Sequence, residues 1–277
     1  MSGVARLGNR EAVEPQVPLA PALNGLAGKS LLEGLRIDYG PVDLLGRFFL
    51  KADAALRERG ITFSFGALDE LIEVNRRNSN TWKPLVTVFD PTFGGIKEDN
   101  SFVMLGRDRT GEVVATQAAR FYNWANSDFA TETSSLRLFY PDPSRQKLPA
   151  EAMEVTAISA RKVRGRVAFS GGVWIRPDYR GRFLTAIMPR ISRANAFTRW
   201  YTDVTVTMMS QALVDKGLAA RCGYTDVDNG VTFRNTRLGT LSCALLQMET
   251  NEMLDDLGRF SEHIDAQVDR RIENRAG

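Results

Sequence analysis

Val167–Ala–Phe–Ser–Gly–Gly–Val–Trp–Ile–Arg–Pro–Asp–Tyr–Arg–Gly–Arg–Phe–Leu–Thr185 is the stretch on which the reading of the fold turns. From Val167 to Ile175 the side chains are apolar at nearly every position, as in a central strand buried on both faces. Pro177 to Arg182 is a basic turn. Beyond it, Leu184, Ile187, Met188, Ile191 and Ala194 recur at helical spacing, with Pro189 placed past the first turn, where proline disturbs a helix. Strand, glycine-containing basic turn and helix form a phosphate-binding arrangement on physical grounds. The helix start offers N–H donors without intrahelical partners and a partial positive charge. Gly181 lets the backbone approach a ligand closely, and Arg180 and Arg182 supply guanidinium groups suited to phosphate oxygens. Taken alone, a short Gly–Arg turn is common in loops.

The flanking sequence supplies the rest of a sheet. Upstream, Ser101–Arg107 and Gly111–Asn123 read as strands around a turn at Asp108–Gly111. Pro41 to Arg59 reads as a helix carrying Val42, Leu45, Phe48, Phe49, Ala52 and Leu56, with Gly60 as its stop. Ile61 to Phe65 alternates as a strand, and Ala67 to Arg77 is a second helix. Positions 124–150, rich in Ser, Thr, Asp and Pro, are expected to be a long surface insertion. Downstream come a strand at Thr202–Met208, a helix at Gln211–Cys222 stopped by Gly223, and strands at Val231–Asn235 and Thr240–Glu249. A terminal amphipathic helix follows, with Met253, Leu257, Phe260, Ile264, Val268 and Ile272 on one stripe. That stripe can lie on the domain or pair two copies into a homodimer. The chain thus divides into a loosely ordered extension (1–38), a main domain (39–250) and the terminal helix (251–277). Gly25–Ser30 lacks the spacing and the preceding strand of a phosphate loop.

In these surroundings, Val173 to Thr185 resembles the acyl-CoA-binding motif of the N-acetyltransferase-like (GNAT) acyltransferase superfamily. There a central strand ends in Val-x-Pro-x-x-Arg-Gly-x-Gly-x-Gly and enters a helix. The succession of elements also fits, down to a helix ending in Gly223–Tyr224. The resemblance spans residues 61–250, and its specific part lies between 167 and 224. It implies an α+β (mixed α/β) fold: a central, mostly antiparallel twisted sheet flanked by helices, with a parallel, splayed strand pair at the acyl-CoA site. Ile175 would offer backbone groups to the pantetheine arm. Backbone N–H groups of Arg180, Gly181, Arg182, Phe183, Leu184 and Thr185 would cradle the pyrophosphate, with Leu184 anchoring the helix to the sheet.

Departures are equally specific. Phe183 and Thr185 stand where the family has its second and third glycines. Phe183 either narrows the cradle or points away from it into the core. The carboxylate that the family carries on the central strand is missing from Phe169–Trp174, and Ala219 occupies the place of its tyrosine. Glu154 and Ser170 are candidate proton acceptors or water holders, and Tyr201 and Ser210 candidates near a thiolate; each also has a structural reading. Gly171–Gly172 reads as a bulge.

Three functions follow. One is transfer of an acyl group from acyl-CoA or acetyl-CoA to a small-molecule amine. Another takes the acyl group from phosphopantetheine on an acyl carrier protein, making N-acyl amino acids or related lipids. The third is a non-catalytic binding domain.

Charge bears on the partner. The chain has net charge +3, but Arg161 to Trp200 holds ten basic residues against one acid, Asp178, hence +9 locally and −6 elsewhere. Concentrated positive charge points to an anionic partner, an acidic carrier protein included, or to a solvated basic helix face. Nucleic acid ranks last, since interleaved aromatics and binding motifs are missing. Cys222, Cys243 and a single His263 match no metal or disulfide spacing. The expectation is therefore no metal, a reducing cytoplasmic setting, and no membrane span.

Overall fold

The computed structural model describes residues 29–276, with side chains through Ile264; Gly25–Gly28 and the stripe positions Val268 and Ile272 lie outside these. The helices are α1 (Leu31–Gly34), α2 (Val42–Glu58), α3 (Leu68–Arg77), α4 (Phe129–Ser134), α5 (Pro143–Gln146), α6 (Leu184–Trp200), α7 (Gln211–Val214), α8 (Leu218–Arg221) and α9 (Thr250–Ala276). The strands are β1 (Thr62–Gly66), β2 (Ser101–Arg107), β3 (Val113–Trp124), β4 (Ala152–Val155), β5 (Gly165–Ile175), β6 (Val204–Ser210), β7 (Asp226–Thr236) and β8 (Gly239–Glu249).

All eight strands form one sheet in the order β1-β2-β3-β5-β6-β8-β7-β4. Every pairing is antiparallel except β5 with β6. That parallel pair meets only at Val167–Val204, Ala168–Thr205 and Phe169–Val206. Beyond Phe169 the two strands continue without pairing, to Ile175 and Ser210. The sheet is therefore mixed and mostly antiparallel, with a splayed parallel pair at its centre, as the resemblance implied.

Strand alternation divides the core in two. Phe102, Met104, Ala168 and Leu246 face α2, α6 and α9, which bring Leu45, Phe48, Ile187, Ile191 and Leu257 to them. Their neighbours Val103, Leu105, Phe169 and Leu245 face the opposite layer. The apolar residues of α2 recur every three or four positions because one face of that helix is buried on the sheet. In α6 every residue but Thr185 is buried, so the helix lies between the sheet and the outer helices.

Several expectations change. Positions 124–150 are no surface insertion: Phe129, Leu136, Leu138 and Phe139 are buried and build the second core layer. Their spacing is irregular, so neither a helical nor a strand period reveals them. The edge strand β4 follows, too short to show alternation. Gly217 adopts a left-handed conformation and breaks the helix expected at 211–222 into α7 and α8. Within the described residues, Ser30 and Glu33 cap α1 reciprocally, and Leu31 is buried. Met253, Leu257, Phe260 and Ile264 of α9 are buried against the domain. No described helix is long and apolar enough to cross a membrane.

Candidate functional site

The splay between β5 and β6 opens into a cleft of about 370 Å³. Its floor comes from the diverging strands, through Ser170, Gly172, Val173, Thr207, Met209 and Ser210. Opposite Thr116 and Ala118 of β3, β5 carries one extra residue: Gly171 pairs with Ala118 and Trp174 with Thr116, leaving Gly172–Val173 as a bulge. The Thr116 hydroxyl donates to the Gly172 carbonyl at 2.7 Å and fixes that distortion. A bulge takes backbone groups out of the ladder and turns them elsewhere, here at the edge of the cleft.

At the far end of β5 the chain makes the basic turn and enters α6. Arg180 donates through Nε to the Ile175 carbonyl at 3.2 Å, which folds the turn back on the strand end. Arg182 lies over the Tyr179 ring at 4.1 Å and donates to the Asp178 carbonyl. Gly181 and Phe183 both have positive φ, 78° and 65°. Phe183 therefore holds the left-handed conformation natural to glycine. Its ring points away from the turn, stacked on Phe260 of α9 at 5.8 Å and near His263 at 5.9 Å. The Arg59 guanidinium lies over the same ring, and Arg59 donates to the Arg182 carbonyl. The turn thus takes a glycine-like backbone at Phe183 while the side chain serves as packing. Leu184 is buried in the first core layer. Ile175 and Thr185 line the cleft, and Arg180, Gly181 and Arg182 are exposed beside its mouth. Pro189, also in the lining, cannot supply the N–H that would bond the Thr185 carbonyl.

The remaining candidates separate. Ser170 is buried and accepts a hydrogen bond from Gln117 Nε2 at 2.8 Å, so its own proton is left to donate. Ser210 also lines the cleft. Glu154 sits on the edge strand β4, paired with Arg234 at 2.5 Å, outside the cleft. Tyr201 caps the far end of α6, about 25 Å along the axis from Leu184, beneath the Arg166 guanidinium. Burial pushes the thiols of Cys222 and Cys243, both in the lining, above their ordinary pKa. Neither cysteine is activated as a nucleophile. Among the described residues, no group of three metal-ligating side chains comes together, and the lining of the cleft contains no carboxylate.

The concentrated charge is not a patch. Arg164 pairs with Asp128, Arg166 with Asp203, and Arg176 with Asp108 and Asp178. Arg190 grips Asp256 of α9 through Nε at 2.8 Å and Nη2 at 2.9 Å. Arg193, fully buried, reaches the Cys222 carbonyl and the same Asp256, and lies over Tyr224. Arg199 is buried over Phe102 and Trp200, and burial pulls its pKa down. Gly223 makes room for this network: its φ is +88°, and a Cβ there would lie 2.6 Å from Arg190 Nη2. The pair Gly223–Tyr224 is thus explained by the arginines above it. Four acids distant in sequence, Asp108, Asp128, Asp203 and Asp256, offset four of the nine net charges, which weakens the charge argument for an acidic carrier protein. A second cavity, lined by Tyr140 and Glu151, adjoins the cleft; no motif or period in the sequence marks it.

The chain is similar to several solved structures. One is an uncharacterized protein from Bacillus halodurans, 13% identical over 74% of this chain and 91% of that one, with a TM-score of 0.42. Another is NAA60 from Arabidopsis thaliana in complex with acetyl-CoA, 12% identical over 69% of this chain and 99% of that one, TM-score 0.42. A third is a mutant of the spermidine N-acetyltransferase SpeG from Vibrio cholerae, 9% identical over 70% of this chain and 96% of that one, TM-score 0.41. No family model matches the chain, and no curated protein matches it.

Proposed function

We propose that the chain transfers an acyl group from acyl-CoA to an amine of a small molecule. The observation that carries this reading is one continuous path. It runs from the N-terminus of α6, with Arg180 and Arg182 beside it, past the Gly172–Val173 bulge, into the apolar cleft of the splayed pair. Pyrophosphate oxygens need donors and positive charge, which Gly181 to Thr185 and the two arginines supply. A pantetheine arm needs a strand edge with free backbone groups, which β5 offers where it leaves β6. Acyl-CoA would supply the activated acyl carbon.

The chain's own work is orientation and polarisation. Backbone N–H groups freed at the bulge are suited to the thioester oxygen, as donors fixed in advance of the reaction. The amine nitrogen attacks the acyl carbon, the carbon–sulfur bond breaks, and the thiolate leaves. Ser170, with its proton free, and Ser210 are the hydroxyls placed to hold the amine or a water and to return a proton to sulfur. Without a carboxylate in the lining, proton transfer forgoes much of the ~10²–10⁴-fold that a tuned acid or base supplies. A modest turnover follows.

The reading is tested by following thiol release from acetyl-CoA and longer acyl-CoAs against a panel of primary amines. Amine-dependent release, lost in Thr185→Trp where the indole fills the cleft mouth, is the expected result. Release that ignores the amine, or none with any donor, would sink it.

A further inference from the structure

The second cavity, of about 230 Å³, shares Pro84, Leu85, Val86, Phe139, Phe233 and Leu241 with the cleft. The two spaces therefore adjoin along these residues. Their chemistry differs. The lining of the second cavity includes Glu151, only 3% exposed. Its two oxygens accept from the Tyr140 hydroxyl at 3.1 and 3.0 Å, and Oε2 accepts from the Leu148 N–H at 2.8 Å. Burial and the neighbouring Glu151 push the Tyr140 phenol up to about 12, so it remains a donor to the carboxylate. Among the described residues, no basic side chain forms an ion pair with Glu151. The lining holds two acids, Glu151 and Asp90, against one base, Arg237, which is exposed but close enough for its charge to act on the Tyr140 hydroxyl. The rest is largely apolar and aromatic, through Phe93, Phe139, Phe233 and Leu241.

A carboxylate withdrawn from water without a cation paired to it is costly. Two neutral donors offset part of that cost and leave lone pairs unused. A ligand bringing an ammonium group to Glu151, with an apolar body against the phenylalanines, would complete the site. We infer that this cavity binds the acceptor through an ammonium group other than the amine that is acylated, with a compact apolar or aromatic body beside it, the charged group held by Glu151. The inference rests on the acyl-transfer reading for its meaning, since the shared residues Leu85, Val86 and Phe139 set the acceptor beside the cleft. The binding itself requires no donor.

Glu151 could instead serve only to hold Tyr140 and the Leu148 N–H. Glu151→Gln keeps an acceptor oxygen for both and removes the charge, so the two roles come apart. The experiment is calorimetric titration of the full chain, without CoA, using phenethylamine and its neutral counterpart 2-phenylethanol. Wild type is expected to prefer the ammonium by about tenfold or more, the size of a charge-assisted hydrogen bond. Glu151→Gln should abolish that preference while still binding the alcohol. If that variant fails to fold, Leu238→Trp, which narrows the rim without touching Glu151, should weaken the amine by a similar factor. Equal affinity for amine and alcohol in wild type, or a preference that survives in Glu151→Gln, would overturn the inference. Amine binding without any response to CoA would leave this site standing and the acyl-transfer reading refuted.

Discussion

Arg180 and Arg182, in the turn, and Arg190, Arg193 and Arg199, along α6, belong to one basic run in the sequence and to two environments in the fold. The first two are exposed beside the start of α6 and bonded to backbone carbonyls. The other three are buried: Arg190 and Arg193 share Asp256 of α9, and Arg199 lies among aromatic rings. One group is available to a ligand, the other holds a helix in the interior. Charge counted along a chain cannot tell them apart, because the acid that answers the buried pair, Asp256, lies on α9, far along the chain.

Removing the shared acid breaks the buried group most severely. Asp256→Ala should cost about 3–5 kcal/mol, because two buried guanidinium groups lose their counter-charge; denaturant midpoints would measure it. Gly223→Ala comes next. Its positive φ and the guanidinium packed over it predict a loss of about 1–3 kcal/mol, read in the same titrations. Arg180→Ala combined with Arg182→Ala should change stability by only about 1 kcal/mol, because neither belongs to a buried pair. Salt sharpens the contrast further. Raising ionic strength from about 0.05 to 0.5 M should weaken CoA binding several-fold, since the exposed arginines are screened. The stability difference between wild type and Asp256→Ala should barely move. A salt-sensitive Asp256 effect would place that pair nearer solvent than it lies here.

What was legible in the sequence was whatever carried a period or a sharp punctuation. β5, the turn and α6 were readable from Val167–Thr185, and α2 from its three-and-four spacing. The bulge at Gly172 was signalled by the glycine pair. The second core layer was not, since Phe129, Leu136, Leu138 and Phe139 follow no repeat and sit among Ser, Thr and Pro. Phe183 carried a real ambiguity. Only the fold shows that a phenylalanine can hold a glycine-like φ there, compensated by stacking on Phe260 from a helix far along the chain. Glu154 and Tyr201 were plausible by residue type, yet strand order puts one on the sheet edge and helix length carries the other away. Glu151 escaped notice because its significance is burial without an ion-pair partner.

The most direct test of the central claim is the melting temperature of the full chain with and without CoA, for wild type and for the Arg180→Ala/Arg182→Ala variant. A ligand at about a hundred times its dissociation constant stabilises by about 2.7 kcal/mol, or about 5–10 °C for a domain of this size. The account predicts that rise in wild type and most of it lost in the variant. No rise with CoA, or an equal rise in both proteins, would contradict a phosphate cradle at the start of α6.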